Sequence, residues 1–214
     1  YLPRFNIEPI ILTVDPQYAT YPISDKTLEN EISNDLKVFK TKTIELFSLY
    51  KKMTGSEQIP YSGFAVESKV NFLQKISRFI RGNFFIPDPR KGWNKFAFKK
   101  AIEIIEKEKI DFFVTTGPPH STHLTGLKLK KRNRKLKWIA DLRDPWTDIF
   151  YYSKFYPSSI SKKVDSRFER KTFEQADNVL VVSNSMKENF NKKYTDSKQK
   201  IHVISNGYDP DDFN

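Results

Sequence analysis

The stretch Phe112-Phe113-Val114-Thr115-Thr116-Gly117-Pro118-Pro119-His120-Ser121 decides the fold. Residues 112–116 combine aromatic and β-branched side chains in a run short enough for a buried strand. Gly117-Pro118-Pro119 then breaks the pattern, and Ser121 stands where it can cap the helix that the spacing of residues 121–131 predicts. Strand, turn and helix make half of a βαβ unit, and the same alternation extends both ways. Strand-like runs at 9–14, 38–43, 112–116, 138–142, 179–182 and 202–204 are interleaved with helix-period stretches at 43–53, 66–81, 93–107, 121–131, 161–175 and 185–194. That order implies an α/β chain with a mainly parallel sheet covered on both sides, a Rossmann-like three-layer sandwich. The helix at 93–107 is the best defined, with Phe96, Ala97, Ala101, Ile104 and Ile105 on one face and Lys99, Lys100, Glu103, Glu106 and Lys107 on the other. Residues 54–64, with Gly55, Pro60 and Gly63, read as a loop.

Composition bounds the function. The chain has 214 residues, 37 Lys+Arg against 26 Asp+Glu and a net charge of +11, and its 18 Phe, 10 Tyr and 3 Trp are more aromatic surface than a disordered segment carries. With no cysteine there is no disulfide framework, thiolate zinc site or cysteine nucleophile, a pattern compatible with the cytoplasm. No apolar run approaches the roughly 18 to 20 residues that cross a bilayer. Gly-x-Gly-x-x-Gly, the Walker Gly-x-x-x-x-Gly-Lys-Ser/Thr and Gly-x-Ser-x-Gly are all missing, which disfavours dinucleotide oxidoreductases, P-loop NTPases and α/β-hydrolases. His120 and His123 stand one helical turn apart without a third ligand, so no metal is expected.

In an open parallel sheet ligands bind beyond the carboxyl ends of the strands. After the run at 112–116, Gly117 allows close backbone approach, His120 stands at the rim of any cleft, and Ser121 can aim a helix N-terminus at a ligand. The plainer alternative is a capped loop with a surface histidine. After the run at 138–142 comes Asp141-Leu142-Arg143-Asp144-Pro145-Trp146-Thr147-Asp148. Carboxylates accept hydroxyl hydrogens and Arg offers a fork to anions, so this loop suits a polar, hydroxyl-rich ligand; a structural ion pair of Arg143 with a neighbouring Asp is the alternative. Ser183-Asn184-Ser185 and Ser205-Asn206-Gly207-Tyr208-Asp209 read alone as ordinary connections, the second with an Asn-Gly turn.

Taken in order, Gly117-Pro118-Pro119-His120-Ser121, Asp141-Leu142-Arg143-Asp144-Pro145-Trp146, Ala176-Asp177-Asn178-Val179-Leu180-Val181-Val182-Ser183 and Ile204-Ser205-Asn206-Gly207-Tyr208-Asp209 resemble the N-terminal domain of family 4 retaining glycosyltransferases with the GT-B fold. Pro87-Asp88-Pro89 followed by Trp93 is similar to a subgroup that builds bacterial surface polysaccharides. The resemblance implies a Rossmann-like acceptor-binding domain at 1–205, with 206–214 beginning the crossing to a donor-binding domain. No two Glu residues stand eight positions apart, as the family's donor-site pair does, so that second domain is expected to be absent from this chain, and both ends look cut from something longer. The implied reaction moves a hexose with retention from a nucleotide sugar to a glycan or lipid-linked glycan, with no cofactor beyond the nucleotide sugar, and residues 1–214 alone should be inactive. His120, Arg143 and Asp144 are the implied catalytic positions. Gly117, Ser121, Asp141, Trp146, Ser183, Asn206 and Gly207 are the implied substrate-binding ones. Many relatives place a His at the end of the strand at 138–142; here Arg143-Asp144 stands there and His120 is the candidate replacement.

Seven of the basic residues fall between Lys128 and Lys137 with no acid among them, where one helix ends and the next strand begins, away from the cleft. They read as a solvated helix end suited to the dipole, or as an attraction to anionic lipid or polymer. At 66–81, Phe72, Leu73, Ile76, Phe79 and Ile80 form an apolar stripe flanked by Lys69, Lys75, Arg78 and Arg81, which fits a sheet-covering helix or one lying in a membrane interface. An anionic membrane surface is thus an expected partner, with a cytoplasmic protein peripheral at the inner membrane face. The pI near 9.6 also raises nucleic-acid binding, but no RRM, zinc finger or base-reading helix accompanies it, and no specific nucleic acid is expected. A non-catalytic Rossmann-like binding module is the remaining alternative.

Overall fold

The computed structural model describes residues 2–19, 32–33, 35–44 and 72–208. Among them run six strands, β1 (Ile10–Val14), β2 (Lys37–Thr41), β3 (Phe112–Gly117), β4 (Lys137–Leu142), β5 (Asn178–Val181) and β6 (Ile201–Val203), and five α-helices, α1 (Phe72–Phe84), α2 (Asn94–Glu108), α3 (Thr122–Arg132), α4 (Ser159–Gln175) and α5 (Asn184–Lys193). All strand pairing is parallel, β1 with β2 and then β3-β4-β5-β6 in chain order. The architecture is mixed α/β and Rossmann-like, with every expected strand present and its ends displaced by at most two residues. The expected helix at 43–53 from residue 45 onward, the loop at 54–64, residues 66–71 of the helix at 66–81, and Asp209 with the rest of the crossing to 214 lie outside the described residues.

Because β3 to β6 lie side by side in chain order, their three right-handed crossovers place α3, α4 and α5 on one face of the sheet. Side chains alternate accordingly. Trp138, Ala140, Leu142, Val179, Val181 and Ile201 point to the helices and, with Phe173, Met186 and Phe190, form the main buried cluster. On the other face Phe112 and Val114 are 49% and 50% exposed. Among the described residues these three crossovers supply the cover of the helix-bearing face, and the parallel strands with their five helices fit the expected Rossmann-like three-layer arrangement.

Helix α2 forms where the periodicity predicts it. Ala97, Ala101 and Ile104 are buried, Ala101 joins Leu129 and Leu136 in a second cluster backed by Leu12 of β1, and the helix stops at Lys109, which turns left-handed at φ 54°. Helix α1 is inverted by comparison. Its stripe of Phe72, Ile76 and Phe79 is exposed, while Ser77 and Arg78 on the opposite side are buried. Its end is fixed by polar contacts rather than by apolar burial. Asn83 donates to the Tyr156 carbonyl at 3.0 Å and accepts from the Ser158 N–H at 2.8 Å and the Ser161 hydroxyl at 2.9 Å, and the Arg81 guanidinium lies 4.4 Å over the Phe155 ring.

At the amino edge of the sheet Asp177 accepts from the Trp138 N–H at 2.8 Å and from Lys130 at 2.6 Å, with Lys137 at 3.6 Å. Burial alone would raise its carboxyl, but these hydrogen bonds and the two cations hold it below the usual carboxylate value. Asp177 thus takes up part of the basic run, and Glu106 lies 3.7 Å from Arg132. Lys128, Lys131, Arg134 and Lys135 remain exposed, at the edge opposite the loops that follow the strands.

Candidate functional site

At the carboxyl edge the loops after β3 and β4 are adjacent by necessity, because Gly117 is the register partner of Leu142 and the Arg143 N–H donates to the Gly117 carbonyl at 3.0 Å. The first loop is organised from a distance. Asp88 Oδ2 accepts from the Ser121 N–H at 2.7 Å and Oδ1 from the Ser121 hydroxyl at 2.8 Å, while Asn94 donates to the Ser121 carbonyl at 2.8 Å. Ser121 was expected to cap α3 with its own side chain. It instead has helical dihedrals and makes no cap bond, because its hydroxyl is directed to Asp88. The anionic charge that suits the start of α3 is therefore supplied by the protein itself.

Gly117 leaves room for two imidazoles. A Cβ there would lie 2.7 Å from His123 Nε2 and 3.1 Å from His120 Nδ1, and both nitrogens are buried without a hydrogen-bond partner. His123 is fully buried, its Nδ1 2.9 Å from the Thr115 hydroxyl, which also accepts from the Trp138 indole at 2.8 Å. Burial, with the adjacent His120 second, lowers its pKa to about 3. His120 is partly exposed, and burial lowers its pKa to about 4 against the opposing pull of Asp88 and of the Pro145 carbonyl. Both rings are thus neutral near pH 7, and an N–H left without an acceptor would be costly, so His120 carries its proton on Nε2.

The His120 ring stacks on Trp146 at 4.9 Å and 8°, which joins the two loops. Trp146 is 2% exposed and its indole N–H donates to Asp165 Oδ1 at 2.7 Å. Ser121 and Trp146 therefore shape the site from beneath, and their polar atoms are directed into the protein. Arg143 is exposed, its Nε 3.3 Å from Asp141 Oδ2, a loose pair that leaves the guanidinium open to solvent. Asp144 is partly exposed near Tyr151, whose phenol is raised by burial first and by the Asp144 charge second. Ser183 caps α5, accepting from the Met186 N–H at 3.2 Å, and Asn206 and Gly207 are exposed beyond β6.

A pair of carboxylates on α4 was not anticipated from the sequence. Asp165 and Glu169 are 3% and 0% exposed. Burial raises the Asp165 pKa to about 6 even though Trp146 and Tyr152 hydrogen-bond to it. Glu169 Oε2 accepts from the Thr147 hydroxyl at 2.7 Å, from Lys193 at 2.8 Å and from the Tyr194 phenol at 2.8 Å. Lys193 also reaches Asp148 at 2.8 Å. An i, i+4 pair of acids inside an otherwise amphipathic helix was the available signal, but it reads equally as a solvated face.

No group of three or more potential metal ligands occurs among the described residues, and no described helix is long and apolar enough to cross a membrane. In comparisons with known proteins, the family model described as Glycosyltransferase Family 4 matches residues 63–212. No curated protein sequence matches the chain.

Proposed function

The chain belongs to glycosyltransferase family 4, and on that premise we propose that it is the acceptor-binding half of a retaining hexosyltransferase acting in surface polysaccharide synthesis. The observation that carries this reading is the locked pair of loops beyond β3 and β4, where the His120–Trp146 stack forms a floor and the second loop carries the exposed Arg143 and the partly exposed Asp144. A partly exposed carboxylate there accepts from a sugar or acceptor hydroxyl, the neutral His120 ring gives the sugar a surface to lie against, and Arg143 pairs with an anionic group of the substrate. Such contacts hold the attacking hydroxyl against the anomeric carbon, which is positional catalysis. The nucleotide sugar is assigned chiefly to a second, donor-binding half, which would stabilise the departing diphosphate.

The same reading makes a lipid-linked glycan the natural acceptor, with the protein peripheral at the inner membrane face. The exposed Phe72, Ile76 and Phe79 of α1, beside the exposed Lys75, suit an anionic lipid surface better than a solvated one. Calorimetric titration of residues 1–214 against nucleotide sugars and against acceptor glycans tests the assignment. Weak or absent nucleotide-sugar binding with measurable glycan binding is expected, and micromolar nucleotide-sugar binding would place the donor site in this half. Flotation with anionic vesicles at rising salt tests the membrane contact, and tight, sequence-selective DNA binding at physiological salt would overturn both.

A further inference from the structure

Asp165 and Glu169 lie one helical turn apart on α4, buried, with their oxygens directed at the loop after β4. A buried carboxylate is a costly way to accept from neutral donors, here the Trp146 indole and the Tyr152 phenol, since a neutral amide or hydroxyl would do so with less desolvation. What the pair provides is direction. Asp165 holds the plane of Trp146 from one edge, Glu169 holds the next residue through the Thr147 hydroxyl, and Lys193 ties Glu169 to Asp148. The far face of the Trp146 ring lies parallel to His120. A displacement of Trp146 is therefore transmitted to His120, whose ring also lies near Gly117, His123 and the Pro145 carbonyl.

We infer that Asp165, seconded by Glu169, is a positioning residue of the sugar site: acting through the Trp146 indole, it sets where the His120 ring stands between the loops after β3 and β4. The inference rests on the glycosyl-transfer reading for its consequence in activity, though not for the coupling itself. The chain has 3 Trp, and the indole N–H groups go to different acceptors, Trp93 to Thr41, Trp138 to Thr115 and Trp146 to Asp165, so the Trp146 signal can be assigned by substitution.

The test combines nitrogen-resolved magnetic resonance with transfer kinetics of the full-length enzyme for Asp165→Ala, Asp165→Asn and Trp146→Phe. Asp165→Ala and Trp146→Phe should shift the His120 ring signals, and Asp165→Asn, which keeps an acceptor for the indole, should leave them near their wild-type positions. In transfer assays Asp165→Ala should raise the acceptor KM by about tenfold with little change in the donor KM, and Asp165→Asn should recover most of that loss. His120 signals unmoved in both Asp165→Ala and Trp146→Phe would overturn the coupling, as would an Asp165→Asn protein that folds yet is as impaired as Asp165→Ala. A wild type that transfers no sugar would remove the glycosyl-transfer reading, while the ring signals would still decide the coupling.

Discussion

The Asp88 carboxylate takes both donors of Ser121, the backbone N–H at 2.7 Å and the hydroxyl at 2.8 Å, and so closes the start of α3 from 33 residues away. It also accepts from the Arg90 N–H at 2.9 Å. Replacing Asp88 by Ala leaves these donors buried or half-buried without a partner, and should cost about 2–3 kcal/mol of stability in a urea titration. Asp88→Asn, which retains one acceptor oxygen, should cost about half of that. Equal losses in the two variants would show that charge, not hydrogen bonding, is what Asp88 contributes.

Two glycines are fixed by what lies above them. At Gly117 an added methyl meets His123 Nε2 at 2.7 Å and His120 Nδ1 at 3.1 Å, and at Gly126 it meets Trp138 Cε2 and Cζ2 at 2.5 Å. Rings locked in a packed interior cannot yield by a few tenths of an ångström without strain, so each Gly→Ala change should destabilise by about 1–3 kcal/mol. Only Gly117→Ala should also disturb the site, because Gly126 touches the core face of Trp138. Thermal melts and transfer assays run side by side separate the two, and equal activity in both variants would detach the His120 ring from function.

Stability should fall with acid, and the sign follows from three groups that burial shifts. Burial lowers His120 to about 4 and His123 to about 3 from an unfolded value of 6.5, so their contribution is complete above about pH 6.5 and is lost as pH falls toward those values. Asp165 acts oppositely, since burial raises it from 3.8 to about 6 and its contribution is complete below about 3.8 and lost as pH rises through 6. Two imidazoles outweigh one carboxyl, so the urea midpoint should drop between pH 6.5 and 4.5. Asp165→Asn should steepen the drop and His123→Asn should flatten it. A midpoint that rises on acidification would contradict the burial of the histidine pair.

Arg143 should matter to transfer and hardly at all to folding. Its link to Asp141 is exposed and 3.3 Å long, and pairs of that kind are worth within about 0.5 kcal/mol. Arg143→Ala should therefore melt with the wild type while kcat/KM falls by about tenfold or more, if the guanidinium meets an anionic substrate group. Unchanged kinetics would leave Arg143 a surface residue.

The strands and the register of the carboxyl edge were legible because parallel strands announce themselves by short apolar runs. Phe112 to Thr116 and Trp138 to Leu142 could hardly be anything else, and once they pair, Gly117 and Arg143 must meet. The gathering of His120 near the loop after β4 followed from that. What the sequence hid is long-range and polar. Asp88 reaches Ser121, Asp165 reaches Trp146 and Glu169 reaches Thr147 across 19 or more residues, and neither periodicity nor spacing encodes a hydrogen bond between distant side chains. The inverted burial of α1 was hidden for a related reason: an apolar stripe shows amphipathicity but not which side faces the protein.

Asp144 carries the central claim, that sugar transfer occurs over the floor made by His120 and Trp146. The most direct measurement follows labelled sugar from a panel of nucleotide sugars into acceptor glycans by the full-length enzyme, wild type beside Asp144→Asn, with the anomeric configuration of the product read by magnetic resonance. The account predicts transfer with retained configuration, and a loss of about a hundredfold in Asp144→Asn at an unchanged melting temperature. Inverted product, or an Asp144→Asn enzyme that transfers at the wild-type rate, would contradict it.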